Sequence, residues 1–329
     1  MIRHPLNRDV LKQSINEFVE LVEPKRRSQE EQKEREHRLN QILIDLHAQL
    51  AELIPPDFLP NNPIEPLTIV PYGELFRVPY NILKDKDGNY FINKHALVFS
   101  AAVSVLRYTH ENKVKSISLD NAKLLAVVNP KPLPKSIFSQ LDETEHGFQR
   151  LLKFFPGTSK DDVLVGTDAT KANLRNRLKL GEHSVVYFGT HGDIDDNDVF
   201  NSYVALAKLE GKGQTEDGRL KILDIFGLNL RSDLSILAAC GTGRGVVSAD
   251  GVNGLSRAFV WGGSASLLTS LWTIPEMMSF QQVYEFHQYW RAEGMTKANA
   301  LRITQLNAMS SSPDQPEIWA GFQLYGEWE

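Results

Sequence analysis

Two residues of this chain, Cys240 and His191, have side chains and surroundings suited to covalent catalysis. Cys240, the single cysteine among 329 residues, follows a predicted apolar strand over residues 234–239, and His191 follows another over residues 184–190. A glycine comes directly after each of them. A thiolate is the reactive form of cysteine, and a neighbouring imidazole can generate it and later return the proton to a leaving amine. The pattern predicts that Cys240 is a nucleophile and His191 its general base.

The elements that precede these two residues are expected to bring them together. The chain between them is long enough for a helical crossover and a small excursion, so we expect the two strands to be parallel. Parallel strands end at one edge of a sheet, where ligands bind in open α/β folds. Glycine lets the backbone approach a substrate closely, and we predict that the N–H groups of Gly192 and Cys240 form an oxyanion hole.

The pattern along the chain is typical of the α/β fold class. From residue 67 onward, short apolar runs alternate with helical patterns, and the run over residues 123–128 suits a strand buried on both faces. We therefore predict a mostly parallel sheet with helices on both faces. An N-terminal helical segment over residues 1–60 is expected to precede it, because apolar residues recur there at helical spacing until a proline cluster ends the pattern.

Composition excludes several function classes. Hydrophobic residues make up 42% of the chain and charged residues 23%, which are globular values, while the net charge is −5. The absence of a basic stripe argues against direct nucleic-acid binding, and no apolar run is long enough to predict a membrane span. A single cysteine cannot head a cysteine-rich zinc site, so we expect no metal and no cofactor. One cysteine and no apolar leader predict a cytoplasmic protein.

The residues that follow the two candidate catalytic positions are rich in carboxylates. Asp193 and Asp195 come after His191, and Asp250 comes after the cysteine loop. Their simplest interpretation is a solvated loop, but as substrate-binding residues they would favour a basic side chain at P1, the residue before the cleaved bond. Trp272, at the end of a later predicted strand, would instead supply an apolar wall and favour a long aliphatic residue. We rank P1 as basic first, large and apolar second, and acidic last.

Two other function classes compete with catalysis. The glycines over residues 241–245 resemble a phosphate-binding loop, but Val246 occupies the position where the dinucleotide pattern needs glycine, and no Gly-Lys-Ser/Thr follows. A nucleotide site is therefore not expected. The second alternative is a catalytically silent scaffold that only binds partners, and it stays open because fold and function separate easily.

Six ordered sequence blocks resemble one known family. The chain is similar to the CHAT peptidases, relatives of separase in the caspase clan, and the likeness extends from about Leu39 to the C-terminal residue. The histidine and cysteine lie in the second and third blocks. The family commonly has serine and an acidic residue where this chain has Ala238 and Gly241. The blocks cover residues 68–83, 186–192, 228–243, 250–259, 269–272 and 318–322.

This resemblance implies a caspase-like fold and a cysteine endopeptidase that cleaves protein substrates through a Cys–His dyad and a thioester acyl-enzyme. It also implies regulation by a partner or a fused module, with a regulatory protein docking on the N-terminal helices of this chain. The implied organisation is an N-terminal helical segment over residues 1–60 and a peptidase domain over residues 61–329, of which 61–120 form its N-terminal part and 121–329 its catalytic part.

Overall fold

The structure is a computed structural model that describes residues 7–22, 28–51, 54–135, 138–195, 197–211, 214–238, 246–248 and 251–329. The described strands, in chain order, are β1 (Pro66–Ile69), β2 (Ala96–Phe99), β3 (Leu124–Val128), β4 (Val163–Val165), β5 (Val185–Gly189), β6 (Gly192–Asp193), β7 (Tyr203–Ala205), β8 (Leu209–Gly211), β9 (Gln214–Glu216), β10 (Arg219–Lys221), β11 (Leu234–Leu237), β12 (Val246–Ser248), β13 (Gly251–Asn253), β14 (Ser266–Ser270) and β15 (Phe322–Gly326).

The described α-helices are α1 (Arg8–Val22), α2 (Gln29–Leu50), α3 (Val103–Lys115), α4 (Asp142–Phe148), α5 (Lys171–Leu178), α6 (Ile222–Phe226), α7 (Leu255–Trp261), α8 (Glu276–His287), α9 (Lys297–Ser311) and α10 (Pro316–Trp319). A 3-10 turn over Gln149–Phe154 extends α4, and a π-helical turn over Gln288–Ala292 extends α8.

A large, mostly parallel sheet forms the centre of the fold, as predicted. In the described chain its strands lie in the order β1-β2-β15-β14-β11-β5-β3-β4. Neighbouring strands are parallel except for the pair β14 and β15, which is antiparallel. β5 and β11 are direct parallel neighbours, with Leu237 opposite Phe188. The two strands that lead to His191 and Cys240 therefore end at the same edge of the sheet.

Helices cover both faces of this sheet, also as predicted. Successive side chains of a strand point to opposite faces, and β5 shows this with two aromatic residues. Tyr187 stacks on Phe148 of α4 with ring centroids 5.6 Å apart, while Phe188 meets Phe259 of α7 edge-on at 5.3 Å. All five residues of β5 are buried. Burial on both faces explains why the strand has a continuous apolar run rather than an alternating pattern.

The crossover from β5 to β11 contains both a helix and the expected excursion. After β5 the chain forms β6, β7 and β10, which pair as a small antiparallel sheet in the order β10-β7-β6, and α6 then leads into β11. Residues 219–221 form β10 before α6 begins, although helical spacing of apolar residues extends over residues 219–227. Pairing of Arg219 with Ala205 of β7 overrides the local helical pattern there.

The N-terminal helices share one apolar core with the rest of the chain. Ile15 and Phe18 of α1 and Leu46 of α2 are buried in the same cluster as the central strands. Arg35 of α2 forms an ion pair with Glu317 of α10, with an N–O distance of 2.7 Å. Helices α1 and α2 precede the sheet as expected, whereas the bounds 1–60 of the helical segment and its separation from a peptidase domain stay predictions.

Candidate active site

His191 lies at the carboxyl edge of the sheet, two residues beyond β5. Ala238, the residue after β11, donates its backbone N–H to Phe188 O at 3.0 Å, so the two strands remain paired up to this edge. β11 therefore ends beside the strand that leads to His191, and Cys240 follows Ala238 by two residues in the sequence. Cys240 itself lies outside the described residues, and so does the oxyanion-hole role predicted for its backbone N–H.

The imidazole of His191 has two partners from one segment of the chain. Its Nε2 lies 2.8 Å from the backbone carbonyl oxygen of Ser139, and its ring stacks on Phe138 with centroids 4.8 Å apart and planes 2° apart. A carbonyl oxygen can only accept, so Nε2 carries the hydrogen. In the neutral ring Nδ1 is then the nitrogen free to take a proton, as a general base requires.

Ser139 was missed by sequence reasoning, for a physical reason. The group that orients His191 is a backbone carbonyl, which every residue type has. The preceding segment is rich in proline, and this predicts an irregular chain but no particular partner. No sequence signal identifies this contact.

Burial lowers the pKa of His191, although the Ser139 carbonyl and the charge of Glu276 partly oppose the shift. Desolvation disfavours the charged imidazolium, so the ring stays neutral to a lower pH than an ordinary histidine with a pKa of 6.5. A neutral imidazole is the form that accepts a thiol proton. The shift therefore keeps the imidazole neutral, as the predicted general base needs, in mildly acidic solution.

We expect the acid limb of kcat/KM to have its midpoint below pH 6.5, the ordinary value for histidine. Protonation of His191 removes the base, so activity is lost as pH falls through its lowered pKa. Replacing the stacked ring, Phe138→Ala, exposes the imidazole and is expected to move the midpoint upward. The measurement is kcat/KM for one peptide substrate across the pH range. A wild-type midpoint at or above 6.5 would contradict the burial argument.

Gly192 and the backbone around it are held by β7. Gly192 opens β6 and lies opposite Val204, Ala205 donates its N–H to His191 O at 2.8 Å, and Thr190 Oγ1 donates to Ala205 O at 2.7 Å. These contacts fix the chain on both sides of the histidine. The oxyanion-hole role of the Gly192 N–H stays a prediction.

Two of the predicted substrate-binding carboxylates already have partners. Asp193 forms an ion pair with Lys135 at 2.6 Å. Asp195 Oδ1 accepts the backbone N–H groups of Asn197 at 2.9 Å and Asp198 at 3.1 Å, and these bonds lower the pKa of Asp195. Asp193 thus joins its loop to the segment that contains Lys135, while Asp195 stabilises its own loop. Asp250 lies outside the described residues.

Trp272 lies just beyond the end of β14, but it does not form an open pocket wall. It is 3% exposed, its indole Nε1–H donates to Glu317 O at 2.8 Å, and Phe18 of α1 packs edge-on against it at 5.7 Å. The expected strand position is right, because Trp272 follows β14. The strand pattern could not predict that the N-terminal helix α1 covers the indole ring. Because it does, Trp272 packs in the core.

Glu276 is the carboxylate that sequence reasoning missed. It lies in the first turn of α8, half-buried, and its Oε1 accepts the backbone N–H of Thr144 at 2.7 Å. Its charge acts to raise the pKa of both His191 and Tyr187, so it lies within electrostatic reach of the histidine. The ion pairs formed by described residues do not include Glu276. The sequence did contain one signal for Glu276: it follows β14 closely, and β14 ends at the same edge of the sheet as β11.

No metal centre or membrane segment is found in the part of the chain that the structure describes. Its histidines, aspartates and glutamates form no cluster of three or more that could hold a metal ion. None of the helices within the described ranges is long and apolar enough to cross a membrane.

Solved structures share this arrangement of sheet and helices, which is a caspase-like fold. The separase–securin complex of Saccharomyces cerevisiae matches with a TM-score of 0.52 and 12% identity, over 98% of this chain and 23% of that chain. Gingipain R, described as an Arg-specific cysteine proteinase, matches with a TM-score of 0.53 and 10% identity, over 88% of this chain and 67% of that chain.

Within this fold class the chain belongs to the CHAT domain family, whose family model matches residues 33–327. It is also similar to tetratricopeptide repeat protein 28 of Homo sapiens and of Mus musculus, with 25% identity over 303 residues in each case. The alignment covers 79% of this chain but only 12% of those relatives, so it spans a small part of much longer proteins.

Proposed function

We propose that this protein is a cysteine endopeptidase that cleaves protein substrates with Cys240 as nucleophile and His191 as general base. The observation that carries the proposal is the state of His191. Its Nε2–H is directed to Ser139 O at 2.8 Å, which leaves Nδ1 free at the edge where β11 leads to Cys240. Membership of the CHAT family and the caspase-like fold support this chemistry.

The reaction follows from thiol and imidazole chemistry. Nδ1 of His191 takes the thiol proton, and the thiolate of Cys240 attacks the scissile carbonyl carbon. Backbone N–H groups of Gly192 and Cys240 stabilise the oxyanion. Collapse of the tetrahedral intermediate breaks the C–N bond, the imidazolium protonates the leaving amine, and a thioester remains. Water, activated by the same imidazole, then hydrolyses the thioester and regenerates the thiol.

Glu276 supports a preference for a basic residue at P1. Its carboxylate is half-buried, reaches His191 electrostatically and has no cationic partner among the described ion pairs. A guanidinium at P1 would pair with it through charge-assisted hydrogen bonds. The gingipain neighbour is described as Arg-specific, which agrees with a basic P1 in this fold class. Asp193 is the less suitable candidate because Lys135 already neutralises it.

A peptide-library cleavage profile tests both the activity and the P1 preference. We expect wild type to cleave after Arg or Lys and Cys240→Ala to cleave nothing. Glu276→Gln keeps an oxygen for the Thr144 N–H but removes the charge, so the kcat/KM ratio of Arg to Leu peptides should fall about 10–100-fold, as for loss of one charge-assisted hydrogen bond. Taking the ratio cancels any effect of the variant on His191.

Asp193→Asn is the matched control for this experiment. It removes a carboxylate near the same histidine that is already paired, and we expect the Arg-to-Leu ratio to change little. If the Arg-to-Leu ratio of kcat/KM falls in Asp193→Asn but not in Glu276→Gln, Asp193 rather than Glu276 recognises the P1 residue. Cleavage after Asp in wild type would contradict the electrostatic argument altogether.

A catalytically silent scaffold is the alternative function, because family membership does not guarantee activity and the chain departs from the common family pattern at Ala238 and Gly241. The rate of alkylation of Cys240 by iodoacetamide separates the two. A working dyad reacts fast near neutral pH and slows sharply in His191→Ala, because the imidazole maintains the thiolate. A slow rate that is equal in both proteins would favour the scaffold.

We also propose that the activity is regulated by a partner or a fused module and that the protein works in the cytoplasm. The curated relatives are much longer proteins named for tetratricopeptide repeats, which supports coupling to another module. A regulatory protein would dock on the solvent-facing sides of α1 and α2, where charged residues predominate.

A further inference from the structure

Asn129 joins the two parts of the chain that meet at His191. It follows the last residue of β3, its side chain is buried, and its φ of 45° is one that asparagine tolerates better than most residues. Its backbone N–H donates to Gly189 O at 3.0 Å. Gly189 ends β5, two residues before the histidine, so the backbone of Asn129 holds the strand that presents His191.

The side chain of Asn129 is directed entirely to the start of α4. Its Oδ1 accepts the backbone N–H of Leu141 at 2.8 Å, and its Nδ2 donates to Glu145 Oε2 at 2.7 Å and to Asp142 Oδ1 at 3.1 Å. Only one orientation of the amide fits, because an N–H group needs an acceptor and two carboxylates need a donor. All three bonds are satisfied at once in a buried position.

The segment that Asn129 holds is the one that orients the imidazole. Leu141 lies two residues after Ser139, whose carbonyl accepts from His191 Nε2 at 2.8 Å, and three after Phe138, whose ring stacks on the imidazole. The strand carrying His191 and the segment supporting its ring are thus both bonded to Asn129. Because only Gln140 separates Ser139 from Leu141 along the chain, a shift of the α4 start displaces the Ser139 carbonyl.

We infer that Asn129 is a positioning residue, which holds the Ser139 carbonyl and the Phe138 ring against His191 and so keeps Nδ1 directed toward the nucleophile. This inference rests on the proposed role of His191 as general base. Asn129 does not touch substrate in this role. It acts through the backbone of the segment over residues 138–141.

Asn129→Asp tests the inference with the least change of shape. Aspartate keeps the acceptor for Leu141 but replaces the donor by a carboxylate facing Glu145 and Asp142, and like charges repel. We expect kcat to fall about 100-fold with KM changed less than about threefold, as for a small misplacement of a catalytic group. The double variant Asn129→Asp with Glu145→Gln restores a donor on the other side of the same bond and should recover most of the lost kcat.

A measurement on the imidazole itself separates this inference from the proposed activity. In wild type the C–H proton resonances of His191, assigned by difference from His191→Ala, should be shifted upfield by the ring current of Phe138. We expect Asn129→Asp to move them toward ordinary histidine positions and the double variant to return them. This readout needs no turnover, so it decides the role of Asn129 even if wild type cleaves no peptide.

Asn129→Gly covers the case in which the aspartate variant does not fold. Glycine adopts a positive φ freely and keeps the N–H bond to Gly189, but it loses every side-chain bond. It should move the His191 resonances as Asn129→Asp does. Unmoved resonances in a folded Asn129 variant, or a kcat loss that the double variant does not reverse, would overturn the inference. If wild type and His191→Ala are equally inactive while the resonances still move, only the peptidase proposal fails.

Discussion

Cys240→Ala and His191→Ala are each expected to reduce kcat on the order of 10⁴-fold or more, and the double variant is expected to be no worse than either single one. In the proposed mechanism the two side chains carry out one proton transfer and one attack, so removing either leaves the other without a function. Non-additivity of this kind separates a catalytic dyad from two independent structural residues. The measurement is kcat for a cleavable peptide, with thermal unfolding to show that each variant is folded.

His110→Ala is the matched control for the histidine variant. Its side chain is 70% exposed and lies 3.5 Å from Glu327, an arrangement that contributes little to stability at a surface. We expect wild-type turnover in this variant. Near wild-type turnover in Cys240→Ala would refute the mechanism, whereas additive losses in the double variant would show that the two residues do not act as a unit.

Asp233→Ala is expected to lower the free energy of unfolding by about 3–5 kcal/mol, the usual cost of breaking a buried ion pair by removing one partner. Asp233 and Lys297 are both fully buried, and Oδ2 and Nζ are 3.0 Å apart. The other carboxylate oxygen pairs with Lys113. Burial lowers the pKa of Lys297 to about 8, opposed by the charge of Asp233. Without Asp233, Lys297 and Lys113 lose the carboxylate that pairs with both of them.

Urea-induced unfolding of the variant gives this free energy directly. Asp161→Ala is the matched control, because Asp161 pairs with Arg177 at 2.9 Å but its side chain is 73% exposed. That exposed pair should be worth no more than about 1 kcal/mol. Equal losses in the two variants would contradict the view that burial of Asp233 decides the cost. Peptidase activity of a folded Asp233→Ala protein should be retained, since this cluster lies before β11, at the opposite end from Cys240.

The acidic loop illustrates how far residue types lead before geometry is known. A run of aspartates after His191 predicts a negative environment, and charge alone suggested a basic P1 residue. In the structure, Asp193 pairs with Lys135 and Asp195 accepts the backbone N–H of Asn197. Both carboxylates therefore already have partners within the protein. A carboxylate with no described ion pair is Glu276, far away in the chain. Partners of a charged group depend on which loops meet in space.

By itself, the sequence determined the fold class and the candidate catalytic pair. A strand buried on both faces must be apolar along its whole length, and only a few residue types perform nucleophilic and general-base chemistry, so both leave a pattern in the chain. Only the tertiary structure showed that the Ser139 carbonyl is the partner of His191. The same holds for the side-chain bonds of Asn129 and for the burial of Trp272 under α1. Backbone groups have no residue signature, and contacts between distant segments form only when the chain folds.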